Sequence, residues 1–331
     1  MPKFTKHLTV FLSLFLFSFL TYAQIDEAAV EAFIKDFSSR SKLTEDQVRT
    51  ILSKAEYDGS IIDKMNNPAE SKMNWTRYRN IFMKDDRILA GVSFWNEYEE
   101  AFKKVSNESG VSEEIILGIL GVETFFGQRK GTYKILDALY TLGFGFPKRA
   151  KFFKSELEHF LDLTNEEKLD VYNLKGSYAG AMGYCQFMPS SYKAYAKSYD
   201  EGGTRDLVDS PEDAIASIAN YLKVHKWKEG QMVVAEAVKS SDAQKLNKQS
   251  LKPKYAVSYY SNLGYRPVGN ISPSSVSTLV QLEQNDGMEY WFGFNNFYVI
   301  TRYNHSEMYA MAVYQLAEAI DEKRQELNRL R

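Results

Sequence analysis

The stretch that decides the fold is IILGILGVETFFG, residues 115–127. Its residues are almost all apolar or small, and Ser112-Glu113-Glu114 just before it is a typical helix start. The pattern predicts a buried helix. Gly118 and Gly121 would leave space for something to lie close to that helix.

Glu123 is the only carboxylate in this stretch. Burial of a carboxylate raises its pKa, because a low dielectric disfavours the charged form. A carboxylic acid that keeps its proton near neutral pH can act as a general acid towards a leaving oxygen. The residues alone leave a second interpretation open, in which Glu123 is a structural carboxylate that pairs with an arginine or caps a neighbouring helix.

Composition excludes several classes of protein. The chain has 331 residues, which suggests about two domains, and 44% of them are hydrophobic and 25% charged, as in soluble globular proteins. With 41 Lys and Arg against 43 Asp and Glu, the net charge of −2 gives no electrostatic case for a nucleic-acid partner. The single cysteine, Cys185, cannot form an internal disulfide or a thiolate metal cluster, and we interpret it as a packed thiol.

Residues 1–23 have the order of a secretory signal peptide. Lys3 and Lys6 precede an apolar run from Leu8 to Leu20, and a small-residue ending at Ala23 follows. The alternative is a membrane anchor, but the apolar run is shorter than the ~20 residues that a spanning helix needs. We therefore predict export, with cleavage after Ala23.

The rest of the chain reads as mainly helical, in the α+β class, with a small β-rich insert. We predict helices from Ile25 to about Tyr57, with Thr44 as a cap, and then an irregular polar segment over 58–88. Helices are predicted again from Leu89, with short breaks, to about Trp227. Strands are predicted within Lys254–Tyr260 and Ser275–Leu282, and a final helix from about Ser306. The predicted parts are a signal peptide (1–23), a helical region (24–90), a catalytic core (91–230), a β-rich subdomain (231–290) and a returning strand and helix (291–331).

Two further segments carry polar and aromatic residues in unusual patterns. In residues 176–192, small residues alternate with Tyr, Gln, Phe and Met, which suits either close approach of a ligand or a tight helix crossing. In residues 296–309, polar side chains stand at the edge of a strongly apolar run.

An acidic segment between Asp200 and Asp213 invites a calcium interpretation. A helix-loop-helix calcium site needs regularly spaced oxygen ligands. Here Gly202 stands where a third acid is expected, so a solvated acidic loop is the better interpretation. We expect no tight calcium binding, no other metal and no cofactor.

Together the three segments resemble the lytic murein transglycosylase B family. The resemblance runs from about Trp75 to Lys223 and again from about Tyr290 to Ala319. It is carried by GVETFFGQ (121–128), ILDALYTL (135–142), PKRAKFF (147–153), LKGSYAGAMGY (174–184), QFMPSSYK (186–193) and NFYVITRYN (296–304). The resemblance implies a lysozyme-like helical catalytic core with an added helical region and a small β domain.

The resemblance also implies roles for single residues. Glu123 matches the catalytic acid of the family. The other matching positions hold or line the glycan: Ser177 and Gln186 as polar contacts, Phe187 as an apolar wall, Tyr303 and Asn304 beside the acid, and Tyr78, Tyr221 and Tyr309 along the groove.

Some positions depart from the family pattern. Lys148-Arg149 stands where two arginines are usual, and Lys148 would bind carboxylates or peptide stems less well because it lacks the bidentate guanidinium. Phe152 replaces a tyrosine and Cys185 a glycine. These departures leave the expected acid untouched.

The implied reaction is cleavage of the MurNAc–GlcNAc bond of peptidoglycan by a single carboxylate, Glu123, which acts as acid and then as base to give 1,6-anhydroMurNAc. A hydrolytic muramidase is the near alternative and would need a second carboxylate, for example Asp137. The second alternative is a non-catalytic peptidoglycan-binding module. The expected protein is a periplasmic monomer whose partner is the glycan strand.

Overall fold

The computed structural model of the protein describes residues 25–68 and 72–330, and the predicted signal peptide lies outside them. The helices are α1 Glu27–Ser38, α2 Glu45–Leu52, α3 Gly59–Asn66, α4 Trp75–Phe82, α5 Asp85–Glu97, α6 Glu99–Ser109, α7 Glu113–Thr124, α8 Ile135–Gly145, α9 Ala150–Glu166, α10 Pro189–Tyr195, α11 Pro211–Val224, α12 Val257–Asn262, α13 Asn295–Tyr303 and α14 Glu307–Arg329. The strands are β1 Tyr133–Lys134, β2 Lys175–Gly176, β3 Val234–Lys239, β4 Tyr255–Ala256, β5 Tyr265–Pro267, β6 Val276–Gln284 and β7 Gly287–Gly293. The prediction of a mainly helical chain with a small β-rich insert is confirmed.

Helix α7 is the element predicted from residues 115–127, and it lies in the middle of the hydrophobic core. Helix α14 crosses it at the two glycines. A Cβ on Gly118 would lie 2.5 Å from the backbone oxygen of Val313, and a Cβ on Gly121 would lie 2.7 Å from Leu316 Cδ2. The space that these glycines leave is therefore filled by the last long helix of the chain.

The N-terminal helices follow the prediction closely. Thr44 caps α2 through a capping box, in which its hydroxyl accepts from the Gln47 backbone N–H at 3.3 Å and the Gln47 side chain accepts from the Thr44 N–H at 2.9 Å.

The prediction of an irregular segment over 58–88 was wrong. The segment contains α3, α4 and the start of α5. Asp58 and Asn74 cap α3 and α4, and each helix buries only a few large side chains, among them Ile61 and Trp75. Charged residues are frequent in this segment, so its few apolar positions do not show a clear helical periodicity. These short helices gain their stability from tertiary packing, which the sequence pattern does not show.

The predicted run of helices up to Trp227 is interrupted. Between the end of α9 at Glu166 and the start of α10 at Pro189 the described chain has no helix. Strand β2 pairs antiparallel with β1, and Met182 forms isolated bridges with Gly176 and Phe187. Residues 176–188, called the glycine-rich loop below, thus form a folded loop. This rules out the tight helix crossing and places Cys185 in a loop.

The β-rich insert forms one antiparallel sheet with strand order β4-β6-β7-β3-β5. Strand β6 matches the strand predicted at Ser275–Leu282. The strand predicted over Lys254–Tyr260 is only β4, because the chain turns into α12 at Val257. The insert has its own small cluster of buried residues, including Tyr260, Tyr265 and Phe292. The domain boundaries themselves stay a prediction.

The chain returns to the core after β7. Residues 290–303 form the end of that strand and then α13. The predicted final helix is confirmed as α14, whose N-cap Ser306 accepts a hydrogen bond from the Tyr309 N–H at 3.3 Å. Among the described residues, none of the helices combines the length and the apolar character needed to cross a membrane.

The α7–α14 crossing predicts a specific effect of adding one methyl group. Gly118→Ala should lower the free energy of unfolding by about 2 kcal/mol, because the new Cβ meets backbone rather than a flexible side chain. Urea unfolding measures this. Gly59→Ala is the control, since its Cβ would meet nothing closer than 3.7 Å. Equal stability of the two variants would contradict the tight crossing.

Carboxylates crowd where α14 passes the start of α7. Burial raises the pKa of Glu318 and of Glu114 above 4.5, and Asp321 adds to both shifts. The folded state therefore favours protonated Glu318, so the contribution of this residue to stability is present below about pH 4.5 and is lost as the pH rises through the folded-state pKa.

Glu318→Gln should accordingly raise Tm slightly at pH 7.5, by about 1 °C at most because the residue is exposed and water screens the repulsion, and the gain should vanish near pH 4. Differential scanning calorimetry at both pH values tests this. Glu108 on α6, which is also exposed but lies outside this group of carboxylates, provides the control, and Glu108→Gln should change Tm little at either pH. A gain for Glu318→Gln that does not depend on pH would refute the explanation.

Candidate active site

Glu123 lies in the last turn of α7, and the chain leaves that helix in an unusual way. Phe125, Phe126 and Gly127 follow with φ values of 52°, 57° and 86°, so three successive residues are in the left-handed region. Phenylalanine rarely adopts this region, and each such residue costs about 1–2 kcal/mol. Strain of this size persists only where the surrounding structure fixes the backbone.

Thr124 supplies that fixation, and sequence reasoning missed it. The Thr124 side chain is fully buried, and its hydroxyl accepts from the Gly127 N–H at 2.9 Å. The same hydroxyl can donate to either of two backbone oxygens, that of Leu120 at 3.3 Å and that of Tyr184 at 3.2 Å. A Cβ on Gly127 would lie 1.9 Å from the Tyr184 ring. Thr124 and Gly127 therefore dock the glycine-rich loop against the end of α7.

Arg87 on α5 was also missed, because nothing distinguishes it in a polar stretch of sequence. It is 6% exposed, and its Nη1 donates to the Gly121 oxygen at 2.6 Å. The guanidinium lies over the rings of Phe82 and Phe125, at 5.1 and 4.6 Å. Burial lowers the pKa of Arg87, and the nearby Arg129 lowers it further. Arg87 thus places a positive group at the carboxyl end of α7, where the helix dipole favours one.

Tyr309 holds the Glu123 carboxylate. The Tyr309 hydroxyl donates to Glu123 Oε1 at 2.6 Å, from the first turn of α14. Burial raises the pKa of Tyr309 well above its usual value, and the negative charge of Glu123 and the neighbouring Tyr303 and Tyr78 raise it further. Tyr309 therefore keeps its proton and remains a donor to Glu123 at any working pH.

Three aromatic side chains continue from Tyr309 as a wall, which we call the aromatic wall: Tyr303, Phe187 and Tyr221. The rings of Tyr303 and Tyr309 are nearly parallel, 11° apart, with centroids separated by 6.3 Å. Tyr303 also contacts Phe187 at 5.6 Å and Tyr221 at 4.8 Å. Aromatic rings at these separations attract one another in offset and edge-on geometry.

Hydrogen bonds fix the aromatic wall. The Tyr303 hydroxyl donates to the Cys185 backbone oxygen at 2.6 Å, and the Tyr221 hydroxyl donates to the Arg302 oxygen at 2.5 Å. Burial raises the pKa of Tyr221 to about 12. Both tyrosines thus lock the glycine-rich loop and α11 onto the end of α13.

The predicted polar contacts Ser177 and Gln186 lie on the docked loop. Ser177 Oγ accepts from the N–H groups of Ala181 at 3.0 Å and of Ala179 at 3.3 Å. Gln186 has a φ of 47°, and its side-chain amide nitrogen donates to the backbone oxygens of Lys130 and Gly183. The amide oxygen of Gln186 is therefore the group that can receive a hydrogen bond from a ligand.

The remaining predicted residues lie farther out. Asn304 is exposed, just after α13. Lys148 and Arg149 are exposed in a short 3₁₀ turn between α8 and α9. Lys148 Nζ lies 3.3 Å from Asn66 Oδ1, and the Arg149 guanidinium lies 4.2 Å from the ring of Phe152, which is 38% exposed. These three side chains form a surface group next to α3. Tyr78 is buried in α4, near enough to Tyr309 to raise the pKa of that tyrosine.

Cys185 is fully buried, and its thiol contacts the Ala214 oxygen at 3.5 Å. Burial raises the pKa of this thiol, and the charge of Glu123 adds to the effect. A thiol that stays protonated is a poor nucleophile. This agrees with its interpretation as a packed side chain.

The acidic segment uses its carboxylates to shape its own backbone. The buried Asp213 accepts from the N–H groups of Tyr199 at 2.8 Å and Asp206 at 2.7 Å, and Asp206 accepts from those of Val208 and Asp209. Within residues 25–68 and 72–330, no three His, Cys, Asp or Glu side chains are grouped so that they could hold a metal ion. The expectation of no tight calcium binding stays a prediction. The expectation of no cofactor stays a prediction.

The role of Thr124 predicts a difference between two conservative variants. Thr124→Val keeps the volume but leaves the partly buried Gly127 N–H without its acceptor, so the free energy of unfolding should fall by about 1–2 kcal/mol. Thr124→Ser keeps the hydroxyl and should retain most of the stability. Urea denaturation compares the two. A valine variant as stable as the wild type, or a serine variant less stable than the valine variant, would contradict the role of the hydroxyl.

Comparison with known proteins places this geometry in a family. The family described as transglycosylase SLT domain matches residues 26–318. Membrane-bound lytic murein transglycosylase B of Escherichia coli (strain K12) is 42% identical over 299 residues, which cover 88% of this chain and 82% of that protein.

Two solved structures are similar to this chain over most of its length. The soluble lytic transglycosylase SltB1 of Pseudomonas aeruginosa has a TM-score of 0.82 at 41% identity, over 90% of this chain and 99% of that one. The Escherichia coli lytic transglycosylase Slt35, solved in complex with calcium, has a TM-score of 0.83 at 42% identity, over 92% of this chain and 95% of that one. The resemblance and the fold class predicted from the sequence are thus confirmed, and the chain belongs to the transglycosylase SLT domain family.

Proposed function

We propose that the protein is a lytic transglycosylase that cleaves the β-1,4 bond between MurNAc and GlcNAc in peptidoglycan and leaves 1,6-anhydroMurNAc ends. The observation that carries the proposal is the hydrogen bond from Tyr309 to Glu123, at the edge of the aromatic wall. Relatives at 41–42% identity that are named lytic murein transglycosylase or soluble lytic transglycosylase support the reaction class.

The first step is a proton transfer from Glu123. Glu123 gives its proton to the glycosidic oxygen, while the Tyr309 hydroxyl donates to Oε1 and holds the carboxyl group in place. As the bond between MurNAc and GlcNAc breaks, the N-acetyl carbonyl of MurNAc stabilises the positive charge that develops at C1. GlcNAc leaves as the alcohol.

The second step returns the proton. Glu123, now a carboxylate, takes the proton of the MurNAc C6 hydroxyl, and the C6 oxygen bonds to C1 to close the 1,6-anhydro ring. Glu123 is protonated again and no water is consumed. The Tyr309 hydroxyl stabilises the carboxylate between the two steps, because a hydrogen bond to the charged form favours that form.

The surrounding residues bind the strand. The partly exposed Tyr303 packs on a sugar ring, with the buried Phe187 and Tyr221 behind it. Polar tips of Ser177, Gln186 and Asn304 bond to sugar hydroxyl and amide groups. Tyr78 lies buried near Tyr309 and helps to keep that hydroxyl protonated. Lys148, Arg149 and Phe152 form an outer contact for a peptide stem.

The alternatives have less support. A hydrolytic muramidase would use Asp137 as a second carboxylate, but Asp137 Oδ1 accepts the backbone N–H of Glu56 at 2.9 Å. Burial raises the pKa of Asp137 as well. This carboxylate thus ties α8 to the N-terminal region. A non-catalytic binding module would have no need for an acid held by a buried tyrosine.

The proposed place of action is the periplasm. The predicted signal peptide would export the chain, with cleavage after Ala23, and the mature protein would act as a monomer on glycan strands. A relative named membrane-bound makes anchoring the alternative to test. Amino-terminal sequencing of the exported protein, which should begin at Gln24, separates the two.

The reaction predicts a mass signature. Purified peptidoglycan digested with residues 24–331 should release fragments that are lighter by one water than hydrolysis products. Glu123→Gln should release none, yet still bind the glycan, because it keeps the shape and loses the proton transfer. Reducing ends in the wild-type digest would indicate a muramidase, and cleavage by Glu123→Gln would refute the assignment of the acid.

The Tyr309 hydroxyl predicts a graded effect. Tyr309→Phe should lower kcat by about 10–100-fold with little change in KM, because a hydrogen bond to a charged group is worth about 1.5–3 kcal/mol. Tyr314→Phe, on the same helix, is the matched control and should keep its kcat. If both variants turn over like the wild type, Tyr309 has no part in the chemistry.

A further inference from the structure

A basic cleft lies between the end of α11, the β-rich insert and the start of α13. Its volume is about 710 Å³. His225, Lys226, Lys228 and Lys252 line it, together with polar and aromatic side chains that include Tyr298, and none of its lining residues is acidic. This cavity, with its four basic side chains, is called the basic cleft below.

The wall of the basic cleft is rigid. Asn296 is fully buried, and its side chain donates to the backbone oxygens of Lys228 and Gln231, each at 2.8 Å, and accepts from the Lys228 N–H at 2.9 Å. Asn295 donates to the Lys226 oxygen at 3.0 Å. The segment 226–231 is thus fastened to the start of α13 by side chains that have no other described role.

Lys226 occupies a position that favours glycine. It follows the C-cap of α11 with a φ of 73°, in the left-handed region where helix-ending glycines are usual. The chain keeps a long cationic side chain here in spite of that preference. Lys226, Lys228 and Lys252 form no salt bridge with any carboxylate in the described part of the chain. Their charges are therefore available to an anionic ligand.

The basic cleft adjoins the proposed active site. The His225 ring stacks on Tyr221 of the aromatic wall with centroids 4.1 Å apart and planes 22° apart. Two further ring contacts, of 4.8 and 6.3 Å, lead from Tyr221 through Tyr303 to Tyr309, which holds Glu123. An extended chain of five residues reaches about 17 Å, at about 3.3 Å per residue, and spans this path.

We propose that the basic cleft binds the free carboxylates of a peptide stem on the glycan strand held at Glu123. This rests on the proposed function. In peptidoglycan the stems hang from the lactyl groups of MurNAc and carry carboxylates, so a strand lying on the aromatic wall brings such a group within reach. Lysine ammonium groups in a cleft without acids favour that charge. Lys148 and Arg149 lie in a different part of the surface, so the two basic groups serve different stems.

The test compares two substrates and two matched variants. The substrates are glycan strands with intact stems and strands from which an amidase has removed the stems. Lys226→Gly removes one charge from the basic cleft while giving its backbone the residue that the conformation favours, so folding is retained. Lys168→Gly is the control, because Lys168 is an exposed lysine with a φ of 56° beyond the end of α9.

The expected result is a selective loss. For Lys226→Gly, the KM on stemmed strands relative to stripped strands should rise about threefold, the size of one well-placed charge pair, while kcat on stemmed strands stays near the wild-type value. Lys226→Gly combined with Lys252→Gln should raise the ratio about tenfold. Lys168→Gly should leave the ratio unchanged.

Two results would overturn the proposal. One is a KM ratio for Lys226→Gly equal to that for Lys168→Gly, and the other is the same loss on stripped strands, which would indicate contact with sugar. If the wild type releases no fragment from either substrate, the proposed function fails instead. The basic cleft is then judged by co-sedimentation with insoluble peptidoglycan, to which Lys226→Gly should bind less than Lys168→Gly.

Discussion

The crossing of α7 and α14 is the constraint on which the site depends. Gly118 and Gly121 let the backbone of α14 approach α7 closely, at the Val313 oxygen and the Leu316 side chain. That approach fixes the first turn of α14 over the last turn of α7, and the hydrogen bond of Tyr309 to Glu123 follows from it. An acid from the middle of the sequence and a tyrosine near its end thus meet through helix packing alone.

The end of α7 turns this crossing into a site. Three left-handed residues after Thr124 stop the helix abruptly, just beyond Glu123. The buried Thr124 hydroxyl and the guanidinium of Arg87 hold the strained turn. The Thr124 hydroxyl also docks the loop that carries Ser177 and Gln186. Backbone strain is common at functional sites for this reason: neighbouring packing maintains a geometry that the local sequence would not adopt.

The sequence predicted most of this and missed an identifiable part. The apolar run around Glu123 and the capping residue Thr44 are local signals, so α7 and α2 were predicted correctly. The helices within 58–88 were missed, because short helices with few apolar residues depend on distant packing. The left-handed turn and the role of Thr124 could not be predicted, since φ values of 52° and 57° at two phenylalanines contradict local preference. The roles of Tyr303 and Tyr309 came only from the family resemblance.

The central claim is that Glu123 serves as both acid and base and that the C6 hydroxyl, not water, completes the reaction. Digestion of peptidoglycan in water enriched in ¹⁸O measures this directly. The account predicts that the new MurNAc ends carry no ¹⁸O, because the oxygen that bonds to C1 comes from the sugar itself. Incorporation of one ¹⁸O atom at each new end would contradict it and would require an activated water beside Glu123.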